Sequence, residues 1–94
     1  DPGDRFENFI AAHLNKWIDY QLDVEGYRWE LCYYRDMEKR EVDFVLCKNR
    51  EPVHFIECKI QAETAHSGLT YIKNKLPKIK ATIVSLNAEN ASTN

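Results

Sequence analysis

Asp43, Glu57 and Lys59 have the types and the spacing to hold a divalent cation and to steady negative charge beside it. Asp43 lies in residues 41–47 (EVDFVLC), and Glu57 and Lys59 lie in residues 53–60 (VHFIECKI). Both stretches read as strands, whose side chains alternate between faces with period two. Glu41, Asp43, Val45 and Cys47 then share one face, and Val53, Phe55, Glu57 and Lys59 share one. The polar turn between them, residues 48–52, is short, so the strands should be antiparallel neighbours. With the turn centred near Arg50, partner numbers sum to about 100. That sets Asp43 opposite Glu57 and Glu41 opposite Lys59. Carboxylates facing each other across a ladder repel, so Lys59, a divalent cation, or both should offset the repulsion. Magnesium takes one or two carboxylates together with water and phosphate oxygens. The plainer alternative is a solvated strand end carrying a surface ion pair worth at most about 1 kcal/mol. The apolar flanks of Glu57, HFI and CKI, argue for an enclosed position instead.

Glu7 is a further acid on this theme. Phe6, Phe9, Ile10, Leu14, Trp17 and Ile18 follow the i, i+3, i+4, i+7 rule of an amphipathic helix. At 100° per residue Glu7 falls about 100° from Phe6, within the apolar arc. It either reaches the acidic end of the sheet or forms a capping box with Asp4 at the N-cap. Gln61, on the face of Lys59, either extends the site or is a solvated loop residue. Lys73, Lys75, Lys78 and Lys80 flank Pro77 and could meet a phosphate backbone or simply face solvent. Tyr33 and Tyr34, followed by Arg35, could stack on bases or pack on the strand. His13 is expected to pack on the helix's apolar arc.

These residues need elements to place them. Asp1-Pro2-Gly3-Asp4 reads as a turn followed by a helix cap, and the first helix should end between Tyr20 and Gly26. Residues 29–35 (WELCYYR) read as a strand, residues 36–40 as a turn, and two further strands follow. Residues 68–76 read as a helix stopped by Pro77, and residues 81–86 (ATIVSL) as a last strand. The order is α-β-β-β-α-β, an α/β domain in which a right-handed crossover makes the last strand parallel to the third. Phe9, Ile10, Leu14, Trp17, Phe44, Leu46, Phe55, Ile56, Ile72, Leu76, Ile83 and Val84 are the expected core. The tail from Asn87 should fray, and its Asn90-Ala91-Ser92 is a formal glycosylation acceptor of no weight in a cytosolic chain.

At 94 residues the chain has room for one core and one domain. With 44% hydrophobic and 30% charged residues it is neither disordered nor collagen-like. No apolar run reaches the roughly 20 residues of a membrane span. A net charge of −2 excludes a uniformly basic nucleic-acid coat. Charge is nonetheless uneven: residues 1–30 hold seven acids and three bases, while residues 66–86 hold four lysines and no acid. Cys32, Cys47 and Cys58 show no zinc-site spacing. They read as buried thiols of a reduced, cytoplasmic chain. No glycine-rich phosphate loop is present, so the chain is not itself an ATPase. It opens at Asp1-Pro2-Gly3 without an initiator methionine, as expected of a piece of a longer protein.

The element order, the acid of EVDFVL and the E-x-K of FIECK resemble the PD-(D/E)XK signature of the restriction-endonuclease-like fold, with Glu7 as the leading acid. Val42 stands where the family name has proline. More closely, RFENFIAAHL, YYRD, EVDFVL, IECK and SGLTYIKNKLP resemble the carboxy-terminal domain of unknown function that follows many prokaryotic AAA-type ATPases. This likeness spans roughly residues 3–88. It implies a mixed central sheet flanked by helices, and an AAA-type ATPase domain in the same full-length chain. It also implies magnesium or manganese held by Asp43, Glu57 and the backbone carbonyl of Cys58. Lys59 would position or activate the attacking water, and Glu7 would be a supporting acid. Catalytic roles thus fall on Asp43, Glu57, Lys59 and Glu7, with phosphodiester hydrolysis in nucleic acid as the implied reaction. The competing expectation is a catalytically silent nuclease-like module that binds DNA or docks a protein. No membrane partner is expected, and the oligomeric state is left open.

Overall fold

The computed structural model describes residues 1–60 and 67–86. Gln61 and the Asn90-Ala91-Ser92 sequence lie outside the described residues. Helix α1 runs Pro2–Tyr20, starting earlier than its apolar periodicity suggests. Proline suits a first helical turn because its missing N–H has no partner to lose there. The Asp1 carboxylate caps the helix, accepting the Gly3 N–H at 3.1 Å. The cap is therefore Asp1 rather than Asp4, and the capping-box role expected of Glu7 falls away. After α1 a π-helical turn, Gln21–Glu25, is closed by Gly26 at φ 73, a left-handed position that glycine adopts without strain.

Strands β1 (Trp29–Arg35), β2 (Glu41–Lys48) and β3 (Glu51–Ile60) follow, then α2 (Ser67–Lys75) and β4 (Lys80–Leu86). The sheet order is β1-β2-β3-β4. The first three strands form an antiparallel meander, and β4 lies parallel to β3. The fold is thus the expected α/β arrangement of αβββαβ order. Asn49 and Arg50 make the two-residue β2–β3 turn, at φ 55 and 66, the double left-handed geometry that matches strand twist. Asp36 organises the β1–β2 turn: its Oδ1 accepts the Glu38 and Arg40 N–H groups, each at 2.9 Å.

Strand alternation divides the core between two faces. Phe44, Leu46, Ile56 and Cys58 pack under Phe6, Ile10, Ala11, Leu14 and Ile18 of α1. Val42, Val45 and Phe55 pack under Leu69 and Ile72 of α2. Gly68 admits α2 to β2, since a Cβ there would collide with the Glu41 main chain. Lys73 is turned inward on its own helix end, its Nζ donating to the Pro77 and Ile79 carbonyls at 3.1 and 2.8 Å.

Four expected core residues lie outward: Phe9, Trp17, Leu76 and Ile83, at 59%, 39%, 39% and 43% exposure. The arc of α1 that meets the sheet is centred close to Glu7, and Phe9, about 160° round the helix from it, falls on the far side. His13 is also exposed and meets Phe9 edge-on at 4.4 Å. Ile83 lies on the edge strand, and Leu76 just beyond the end of α2. Cys58 is buried and Cys32 and Cys47 are half-buried, all as free thiols. Burial and a hydrogen bond with Cys32 push the Cys47 thiol up to about 11. No helix among the described residues is long and apolar enough to cross a membrane.

Candidate functional site

The β2–β3 ladder carries the expected register, with Phe44 opposite Ile56 and Val45 opposite Phe55. Towards the start of β2 the strand departs from simple alternation. Cys32 pairs with Val45 and Tyr34 with Val42, so two β2 residues, Asp43 and Phe44, oppose Tyr33 alone. A bulge of this kind re-aims a side chain. It returns Val42 to the face of Val45, which corrects the strict sharing of one face by Glu41, Asp43 and Val45, and it presents Asp43 to β3.

There the two acids exchange bonds with each other's strand. Asp43 Oδ2 accepts the Cys58 N–H at 2.7 Å, and Glu57 Oε1 accepts the Asp43 N–H at 3.3 Å. The carboxyl groups themselves are within hydrogen-bonding reach of one another, and Asp43 also reaches Glu7 of α1. Glu57 is 1% exposed and Lys59 5%, so the solvated surface ion pair does not describe them. The Lys59 charge acts on Glu57 and favours its ionised form. Main-chain N–H and C=O groups of a strand residue leave on the same side. The Cys58 carbonyl therefore also faces the Asp43 side. Glu41 is ion-paired with Arg35 of β1 at 2.9 Å.

The crowding shows in proton affinity. Burial, then the hydrogen bond and charge of Asp43, raise Glu57 from an ordinary 4.5 to about 8. The hydrogen bond to Asp43, then burial and the Asp43 charge, raise Glu7 to about 7. Burial, followed by the charges of Asp43, Glu7 and Glu57, pushes the Cys58 thiol up to about 12, so it stays protonated. Acids this close favour either a shared proton or a cation.

Among the described residues no group of three or more His, Cys, Asp or Glu side chains is arranged to hold a metal ion. The available donors are two carboxylates and a main-chain carbonyl, all hard oxygens. That is a set of the size magnesium accepts, since it retains several waters. What the sequence did not disclose is the main-chain role of the acids, each capping a backbone N–H where the ladder opens. The β2 bulge that makes this possible leaves no mark on residue spacing.

A protein-family model described as a domain of unknown function (DUF4143) matches residues 2–94. No curated protein and no solved structure matches the chain.

Proposed function

Since the chain belongs to the DUF4143 family of domains of unknown function, its chemistry has to be read from the site, and we propose a nuclease-like centre of PD-(D/E)XK type. Its substrate is a phosphodiester of nucleic acid. Asp43, Glu57 and the Cys58 carbonyl would hold magnesium or manganese. The single observation that carries this reading is the meeting of the Asp43 and Glu57 carboxyl groups at the β2 bulge, with buried Lys59 two residues beyond Glu57 on the same strand face. A bound divalent cation would polarise the phosphate and acidify a water. The protein's own share is to hold the two acids on adjacent strands. Lys59 supplies a cation in a water-poor setting, where it counts for more than at the surface. Glu7 adds an acid from α1 that can hold or release a proton near neutral pH. The likeness of RFENFIAAHL and SGLTYIKNKLP to domains that follow AAA-type ATPases supports placing this centre in one chain with an ATPase.

The test is cleavage of plasmid and of single-stranded DNA with and without magnesium or manganese, beside calorimetric magnesium titration. Wild type should cleave only with the ion. Glu57→Gln should lose both ion binding and cleavage. Lys59→Ala should keep ion binding and lose about a hundredfold in rate. An identical magnesium response in wild type and Glu57→Gln would end the metal reading.

One observation favours a second reading, a silent module that docks DNA or a protein. The reciprocal bonds of Asp43 and Glu57 to main-chain N–H groups already give both acids a structural task. In that case both variants are destabilised to a similar degree with or without magnesium.

A further inference from the structure

A cavity of about 610 Å3 opens beside the acids. Glu7, Asn8 and Ala11 of α1 form one wall, and Tyr33, Arg35 and Asp43 lie across it. The face of β1 that forms the far wall changes character along the strand. Trp29 and Leu31 pack against the α1 core. Tyr33 and Arg35 continue that face past the covered part, with Tyr33 at 74% exposure and the Arg35 side chain at 76%. Phe44 of β2 is a tilted ring neighbour of Tyr33, ring centres 6.2 Å apart. Among the described residues the Arg35 side chain meets Glu41 in an exposed ion pair, a contact of small net worth that another anion can replace.

From this geometry we infer that the cavity receives one unpaired nucleotide of a single strand, its base stacked on Tyr33 and its phosphate on Arg35, with the next phosphodiester lying towards Asp43 and Glu57. The inference rests on the nuclease reading above and names the substrate form of that same site. Three features select the single strand. A volume of this order suits a small molecule or one nucleotide, and a paired base inside a duplex cannot enter it. An exposed aromatic face binds any base, because every base has a π-face. The acids Glu7, Glu41 and Asp43 around the cavity oppose a surface dense in phosphate, and they tolerate a neutral base with a single phosphate held at the one guanidinium.

The experiment measures binding of a fluorescently labelled 12-nucleotide oligothymidylate and of a duplex of equal length to the whole protein in magnesium, with magnesium binding titrated separately without nucleic acid. The single strand should bind at least tenfold tighter than the duplex. Tyr33→Ala should lose about tenfold in single-strand affinity, and Tyr33→Phe should retain it. Arg35→Ala should weaken binding and flatten its salt dependence by somewhat less than one logarithmic unit per decade of salt. Magnesium binding should be unchanged in all three variants. Equal affinity for duplex and single strand, or no loss in Tyr33→Ala, would overturn the inference. Each of these can occur with the magnesium titration intact, so the nuclease reading would survive them. Loss of the ion titration in wild type, with Tyr33-dependent single-strand binding preserved, would sink the nuclease reading and leave the cavity's ligand standing.

Discussion

The two ends of the β2–β3 hairpin are built on opposite principles. At the Asn49–Arg50 end the strands close on each other through a tight two-residue turn, and Leu46 and Phe55 are buried close to it. A bulge at Val53 places Pro52 opposite Cys47, before β4 begins to pair at His54, so the missing proline N–H costs no bond to β4. At the other end the second bulge turns Asp43 towards β3, and two carboxylates take up main-chain N–H groups. The first end gains stability from apolar burial. The second holds carboxyl groups together under cover, where they retain protons to about 7 and 8, and α1 and the rest of the sheet must keep them there.

Each end can be challenged separately. The largest effect should come from the closed end: Leu46→Ala removes a 5% exposed side chain from the α1 core and should cost about 2–5 kcal/mol in denaturant unfolding. That loss should be the same with and without magnesium. At the acidic end the response should be to pH. Glu57 and Glu7 hold protons more tightly folded, to about 8 and about 7, than their ordinary 4.5. Their contribution to stability is therefore complete below about pH 4.5 and is lost as pH rises through about 7 to 8. Melting temperature should fall across that window, and Glu57→Gln should remove most of the fall. A flat profile in wild type would show that the acids are not crowded as described. The smallest effect returns to the turn. Arg50→Gly relieves a left-handed non-glycine residue and should raise stability by about 1 kcal/mol without altering the pH profile.

Much of this architecture is legible in the residues themselves. The strand patterns of EVDFVLC and VHFIECKI, separated by a short polar turn, contain both the antiparallel pairing and the register that sets Phe44 opposite Ile56. The crossover rule contains the parallel β4. The helix periodicity predicts Ile10 and Leu14 against the sheet but misjudges Phe9 and Trp17. Periodicity defines an arc without saying how wide a strip of it the sheet will cover.

The element order and the pairing of β2 with β3 follow from the sequence, because local periodicity and short turns suffice for them. The remainder is the work of tertiary structure. It set Glu7 against Asp43, bulged β2 so that Val42 and Val45 share a face and Asp43 meets β3, and left Tyr33 and Arg35 open across the cavity. Those outcomes depend on where one element ends relative to another across space. Residue spacing along a chain encodes the period of each element but not the offset between elements.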